Sequence, residues 1–184
     1  MLDLLFEDDA IWVYNKPSGL SVLKDRGGDD CLWDELTSYA TKPFLVHRLD
    51  KGTSGCLIVA KNQKTQSTLT AAFAERLVSK SYIAAVVGSF PSGRTMIINL
   101  PLCRGRKSRY RIAGARDTIE CQDDTYRVEQ DREGLESISR VRMLVSRPTQ
   151  SLLAVKPLTG YPSNKGPHSL DRPRRHWRPP LRLS

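Results

Sequence analysis

The chain has 184 residues, 29 Lys and Arg against 20 Asp and Glu, a net charge of +9 at pH 7 and a mean hydropathy of −0.42. That length suits one medium domain with a real core, and a 39% hydrophobic content is that of a globular protein. No run of about 18 apolar residues occurs, which argues against a membrane-spanning helix.

Ala10–Tyr14 reads as a short apolar strand, stopped by Asn15, Lys16 and Pro17 and a Ser18-Gly19 turn. Leu57–Ala60 is a second apolar run, behind Gly52 and Gly55. Lys64–Val78 is predicted helical, because Leu69, Ala72, Phe73 and Leu77 recur at helical spacing with polar residues between them. Tyr82–Val87 is a third strand, ended by Gly88 and Pro91. Ser137–Val145 and Ser151–Val155 are two more, separated by Arg147-Pro148. Residues 1–160 therefore read as an α/β or α+β domain.

Residues 161–184 differ. They hold five of the eleven prolines and six basic residues against one acid, so more than half the net charge sits there. With no periodicity and few aliphatic residues, this basic, Pro-rich tail is predicted disordered. The pI near 9.6 is accordingly a weak pointer to a polyanionic partner for the rest of the chain. Met1–Asp9 is acidic and lacks the basic start of a secretory signal, so a cytoplasmic location is expected. Cys31, Cys56, Cys103 and Cys121 are scattered, with no C-x-x-C, and the three histidines are not spaced as ligands. Neither a disulfide framework nor a metal is expected.

Four clusters can carry chemistry. The densest is His47-Arg48-Leu49-Asp50-Lys51-Gly52-Thr53-Ser54-Gly55, led in by Leu45 and Val46. A loop carboxylate beside Arg48 and Lys51 is kept ionised, which suits a nucleophile or a general base. The alternative is a loop salt bridge between Asp50 and Arg48. In Asn15-Lys16-Pro17-Ser18-Gly19, Lys16 either offers its charge to a phosphate or is a solvated turn lysine. Tyr82, after Lys80-Ser81, either stacks on an unpaired base or is a half-buried strand tyrosine. Arg104, Arg106, Lys107, Arg109 and Arg111, around Tyr110, form either a phosphate-tracking surface or a solvated charged hairpin. No G-x-S-x-G, Walker or G-x-G-x-x-G motif occurs.

The order Asn15-Lys16-Pro17-Ser18-Gly19, His47-Arg48-Leu49-Asp50 with Thr53-Ser54-Gly55 and Ala60-Lys61, then Lys80-Ser81-Tyr82, resembles the RluA-type pseudouridine synthases over roughly the first 160 residues. The resemblance implies an α/β (α+β) fold with a mixed and antiparallel sheet core, flanking helices and an RNA-binding cleft. It implies isomerisation of uridine in structured RNA, ribosomal or transfer, by a monomer using neither metal nor organic cofactor. Asp50 matches the essential aspartate, and Tyr82 the tyrosine that stacks on the target base and is placed to assist proton removal from C5. Arg48 matches the arginine that takes the flipped nucleotide's place. His47, Lys16, Arg106, Lys107 and Arg109 are the further residues expected to meet RNA. Many members begin with an S4-type domain. Here the synthase pattern starts at Leu5, so RNA binding is expected from the core itself.

The pattern breaks after Pro157-Leu158-Thr159-Gly160, where the family continues Arg-Thr-His-Gln-Ile-Arg-Val-His and later Gly-Asp and Tyr-Gly. One arginine of that run pairs with the essential aspartate. Among the synonymous codons allowed for Tyr161 to His168, the choice TAC CCA TCA AAT AAG GGT CCA CAC, read one base on, gives Thr-His-Gln-Ile-Arg-Val-His. For Trp177 to Arg182 the choice TGG CGA CCG CCG TTA CGG, with the same shift and any base from the next codon, gives Gly-Asp-Arg-Arg-Tyr-Gly. Residues 161–184 therefore read as a frameshifted tail. A divergent C-terminus, a catalytically dead RNA-binding remnant and a non-functional product are the alternatives.

Overall fold

The computed structural model describes residues 2–24, 28, 30–39, 42–90, 93–105 and 110–159. Arg106, Lys107, Arg109 and the tail 161–184 lie outside the described residues. The described residues form two compact units, one ending at Leu77 and one beginning at Val78.

In the first unit, β1 (Asp3–Glu7) and β2 (Ile11–Lys16) form a hairpin. Its turn is fixed by Asp8, whose carboxylate accepts from the Ala10 and Ile11 amides at 2.8 and 2.7 Å. α1 (Leu32–Tyr39) follows, then β3 (Phe44–Leu45), β4 (Gly55–Ala60) and α2 (Gln63–Ala74). The strands make one antiparallel sheet in the order β1-β2-β4-β3. β4 is its buried centre, with Leu57, Val59 and Ala60 fully covered. Leu32 and Leu36, one turn apart on α1, are buried as well.

α2 begins where Asn62 caps it, its side chain accepting from the Thr65 amide at 2.9 Å. It ends earlier than the apolar spacing predicts. Arg76 takes a left-handed φ of 62°, the Leu77 amide bonds to Ala72 O and the Arg76 amide to Phe73 O. This is a Schellman reversal with arginine where glycine is usual. Leu77, expected on the apolar face, is therefore off the helix and 72% exposed.

The second unit holds β5 (Tyr82–Val87), β6 (Thr95–Asn99), β7 (Leu102–Arg104), β8 (Tyr110–Ile112), β9 (Gly114–Gln122), β10 (Thr125–Gln130), β11 (Ile138–Ser146) and β12 (Gln150–Pro157). Six make a mixed sheet in the order β5-β12-β11-β6-β10-β9, in which only β10 and β6 run parallel. β7 and β8 pair separately. One face carries a core of Phe90, Met96, Tyr126, Val141 and Leu153. The mixed and antiparallel sheets with helices expected from the sequence are thus found.

Candidate active site

The Asn15–Gly19 and His47–Gly55 clusters, far apart in sequence, are fastened together in the first unit. The Gly19 amide donates to Lys51 O at 2.7 Å, and the Ser18 hydroxyl to Gly52 O at 3.0 Å. Gly19 has a φ of +92°, which turns its amide toward Lys51 in a conformation that side chains resist. The Thr53 amide closes a turn onto Asp50 O at 2.9 Å. Leu49 is buried and anchors the loop, while Arg48 on one side is exposed and Asp50 on the other half-buried. The backbone at the carboxylate is thereby held from several directions.

Lys16 is the surprise of this arrangement. Neither expectation for it holds: it is neither a solvated turn lysine nor presented to a phosphate. It is completely buried, and its Nζ donates to Leu20 O at 2.7 Å, Pro17 O at 2.9 Å and, more weakly, Lys51 O at 3.4 Å. Carbonyl oxygens satisfy the ammonium, as burial of a charge demands. Lys16 knots its own turn and ties it to the peptide that follows Asp50.

His47 is also built into the fold. β3 pairs with β4 over only two residues, and Ile58 lies just past the end of that ladder. His47 Nε2 accepts the Ile58 amide at 3.0 Å, so the imidazole satisfies a donor that the short strand does not reach. Its ring stacks on Phe73 of α2 with centroids 4.5 Å apart. Gln66 of α2 adds a bond to Leu45 O at 3.0 Å. Phe73 and Gln66 were visible in the sequence only as helix residues, yet they brace the chain entering the loop.

Arg48 takes part in no ion pair or hydrogen bond among the described residues, so the alternative of an Arg48–Asp50 salt bridge is not what forms. Tyr82 opens β5 in the second unit, half-buried and opposite Val155. Arg104 and Arg111 lie on the paired strands β7 and β8, both exposed, and Arg104 Nε reaches the Tyr110 hydroxyl at 3.3 Å. Lys61 joins the sheet of the first unit: it bonds Glu7 at 2.6 Å and lies 4.8 Å from the centroid of the Trp12 ring. Among the described residues no cluster of His, Cys, Asp and Glu is placed to hold a metal, and no helix is long and apolar enough to cross a membrane.

The sequence profile described as RNA pseudouridylate synthase matches residues 10–163, which include both the loop and Tyr82. The chain belongs to the RNA pseudouridylate synthase family. An uncharacterized RNA pseudouridine synthase of Zymomonas mobilis is 32% identical over 161 residues, covering 85% of this chain and 67% of that protein. The ribosomal large subunit pseudouridine synthase D of Xylella fastidiosa is 31% identical, over 71% of this chain and 46% of that one. The dual-specificity synthase RluA of Vibrio cholerae is 38% identical over 104 residues, 55% of this chain and 42% of its own. The chain thus spans two thirds of the first relative and under half of the other two. The human RNA pseudouridylate synthase domain containing 4 has the same fold, with a TM-score of 0.66 at 24% identity over 86% of this chain and 60% of that one.

Proposed function

We propose that this chain isomerises uridine to pseudouridine in structured RNA, ribosomal or transfer. The family match across residues 10–163, which contains His47-Arg48-Leu49-Asp50 and Tyr82, carries the reading. The reaction breaks the C1′–N1 bond of uridine and forms C1′–C5; C5 gives up its proton and N1 gains one. No electrons enter or leave.

Asp50 supplies the carboxylate that either attacks covalently or removes a sugar proton. The pinned backbone on both sides of it supports this role, because a reacting group held in one place saves the entropy of finding it. Tyr82 stacks on the target base and assists removal of the C5 proton. The base must leave its stack to be reached, at about a few kcal/mol. Arg48, exposed beside the loop, fills the vacated place. Arg106, Lys107 and Arg109 contact phosphates. Lys16 and His47 act as positioning residues, holding the loop rather than the RNA.

The test is pseudouridine mapping after incubating the purified chain, and its Asp50→Asn variant, with unmodified ribosomal and transfer RNA transcripts. Pseudouridine formed by the first and not the second supports the reading; turnover by Asp50→Asn overturns the assignment of Asp50. A second reading, an RNA-binding remnant, is favoured by one observation: the family match stops at residue 163 while the chain continues to Ser184 without the family's motifs. A chain with the alternative frame restored after the Gly160 codon separates the two. Activity in the restored chain alone, with RNA binding in both, selects the remnant.

A further inference from the structure

The four adjacent strands β5, β12, β11 and β6 contain no Asp or Glu at all. They do carry Arg140, Arg142 and Lys156. The register shows that these three share one face. Arg140 lies directly opposite Lys156, and Arg142 opposite Ala154 on one side and Thr95 on the other. Tyr82, Val155, Val141 and Met96 are likewise in register and occupy the other face, the one bearing the core. The cations therefore project away from the core and from the face of Tyr82.

Three features mark this face as a binding surface and not merely a solvated one. Arg140 and Lys156 are directly opposed like charges on neighbouring strands, an arrangement that costs stability unless an anion lies between them. None of the three cations has an ion pair or hydrogen bond among the described residues. They surround a shallow, open depression of about 170 Å³ whose lining also includes Ser81, Thr95, Ala154 and Val155. Arg140 and Arg142, two residues apart on one strand, stand about 7 Å from each other, a spacing that lets successive phosphates meet successive cations.

The geometry points to a phosphate-tracking site for the RNA backbone at Arg140, Arg142 and Lys156, on the sheet face opposite Tyr82. The inference rests on the RNA reading above and adds a second contact surface to it. Backbone contacts at such a place position the RNA without reading its sequence. Guanidinium groups suit the task because they grip phosphate oxygens in pairs.

The experiment changes Arg140, Arg142 and Lys156 together to Gln in the full chain and measures binding of a ribosomal RNA transcript against salt. A second triple variant, Lys64, Arg116 and Arg147 to Gln, removes the same charge from exposed positions elsewhere. The site variant is expected to lose about 2–3 units of log–log salt slope, about 0.7–0.9 per contact. Its melting temperature stays level or rises as the Arg140–Lys156 repulsion goes. The control variant is expected to keep its slope. Equal slope loss in both variants, or none in the first, overturns the site. Inorganic phosphate and poly-glutamate serve as competitors. Competition by poly-glutamate as strong as by RNA reassigns the face to an acidic protein and overturns the proposal, as does binding of phosphate with an unchanged RNA slope. An active chain whose slope the site variant leaves unchanged fails this inference alone. A chain that neither binds RNA nor forms pseudouridine fails the functional reading first.

Discussion

Replacing Lys16 by methionine separates a buried brace from a phosphate contact. The change keeps the length of the side chain and removes the ammonium. Two short bonds disappear, to Leu20 O at 2.7 Å and Pro17 O at 2.9 Å, with the weaker one to Lys51 O at 3.4 Å. Each hydrogen bond from a charged donor contributes about 1.5–3 kcal/mol. Part of that loss is offset, because a buried thioether escapes the desolvation cost of a buried ion. A net destabilisation of about 2–4 kcal/mol remains, since Leu20 O and Pro17 O lose the ammonium that they accept from, while Lys51 O keeps the Gly19 amide. In a chain of this size that lowers the melting temperature by about 4–16 °C. The peptide after Asp50 also loses one of the two donors on Lys51 O, so pseudouridine formation should fall at least tenfold. The salt dependence of RNA binding should not move. Calorimetry or circular dichroism gives the melting temperature, and binding titrations at several salt concentrations give the slope. A Lys16→Met chain that melts within about 1 °C of the parent but loses about one unit of slope would refute the buried-brace argument.

Other outcomes follow from the same geometry. Asp50→Asn should abolish isomerisation while shifting the melting temperature little, since the loop is anchored by Leu49 and by backbone bonds; simultaneous loss of folding would make Asp50 a structural residue. His47→Ala removes both the acceptor of the Ile58 amide and the Phe73 stack, about 2–3 kcal/mol in all, and His47→Gln should recover part of it in a melting experiment. Bonds from Lys61 and Trp12 hold the Glu7 carboxyl below its ordinary range, and the Ala10 and Ile11 amides do the same for Asp8. Folded values below the unfolded ones mean that these groups contribute stability fully at neutral pH, which is lost as pH falls below about 4 and through the folded values. Glu7→Gln should accordingly flatten the acid side of the stability curve; an unchanged acid limb speaks against it. Restoring the alternative frame after the Gly160 codon should raise activity and melting temperature together, and a restored chain no better than the original removes the frameshift reading.

The sequence alone carried the family. Short motifs in fixed order are legible because turn chemistry is local: Pro17 and Gly19 shape one turn, Gly52 and Gly55 another, whatever surrounds them. The apolar strands β2, β4, β5, β11 and β12 were legible for a similar reason, since runs such as Leu57–Ala60 declare burial by composition. Elements that bury few side chains, or that turn without glycine, were not. β1 is exposed along its length, α1 shows Leu32 and Leu36 as its only buried residues among those described, and β9 and β10 meet at a left-handed Asp123-Asp124 turn that carries no glycine. The end of α2 was misjudged because arginine, not glycine, sits at its reversal. What Lys16 does was beyond reach, because a lysine beside a proline turn looks solvated until three carbonyls from two separate segments close around it. The same holds for His47, whose partner amide is orphaned only because β3 stops after two residues. The pairing that lines up Arg140, Arg142 and Lys156 is likewise a matter of register between strands. Local chemistry sets which turns and strands form; which groups they enclose or expose depends on contacts between residues far apart in the chain, and only the folded structure supplies those.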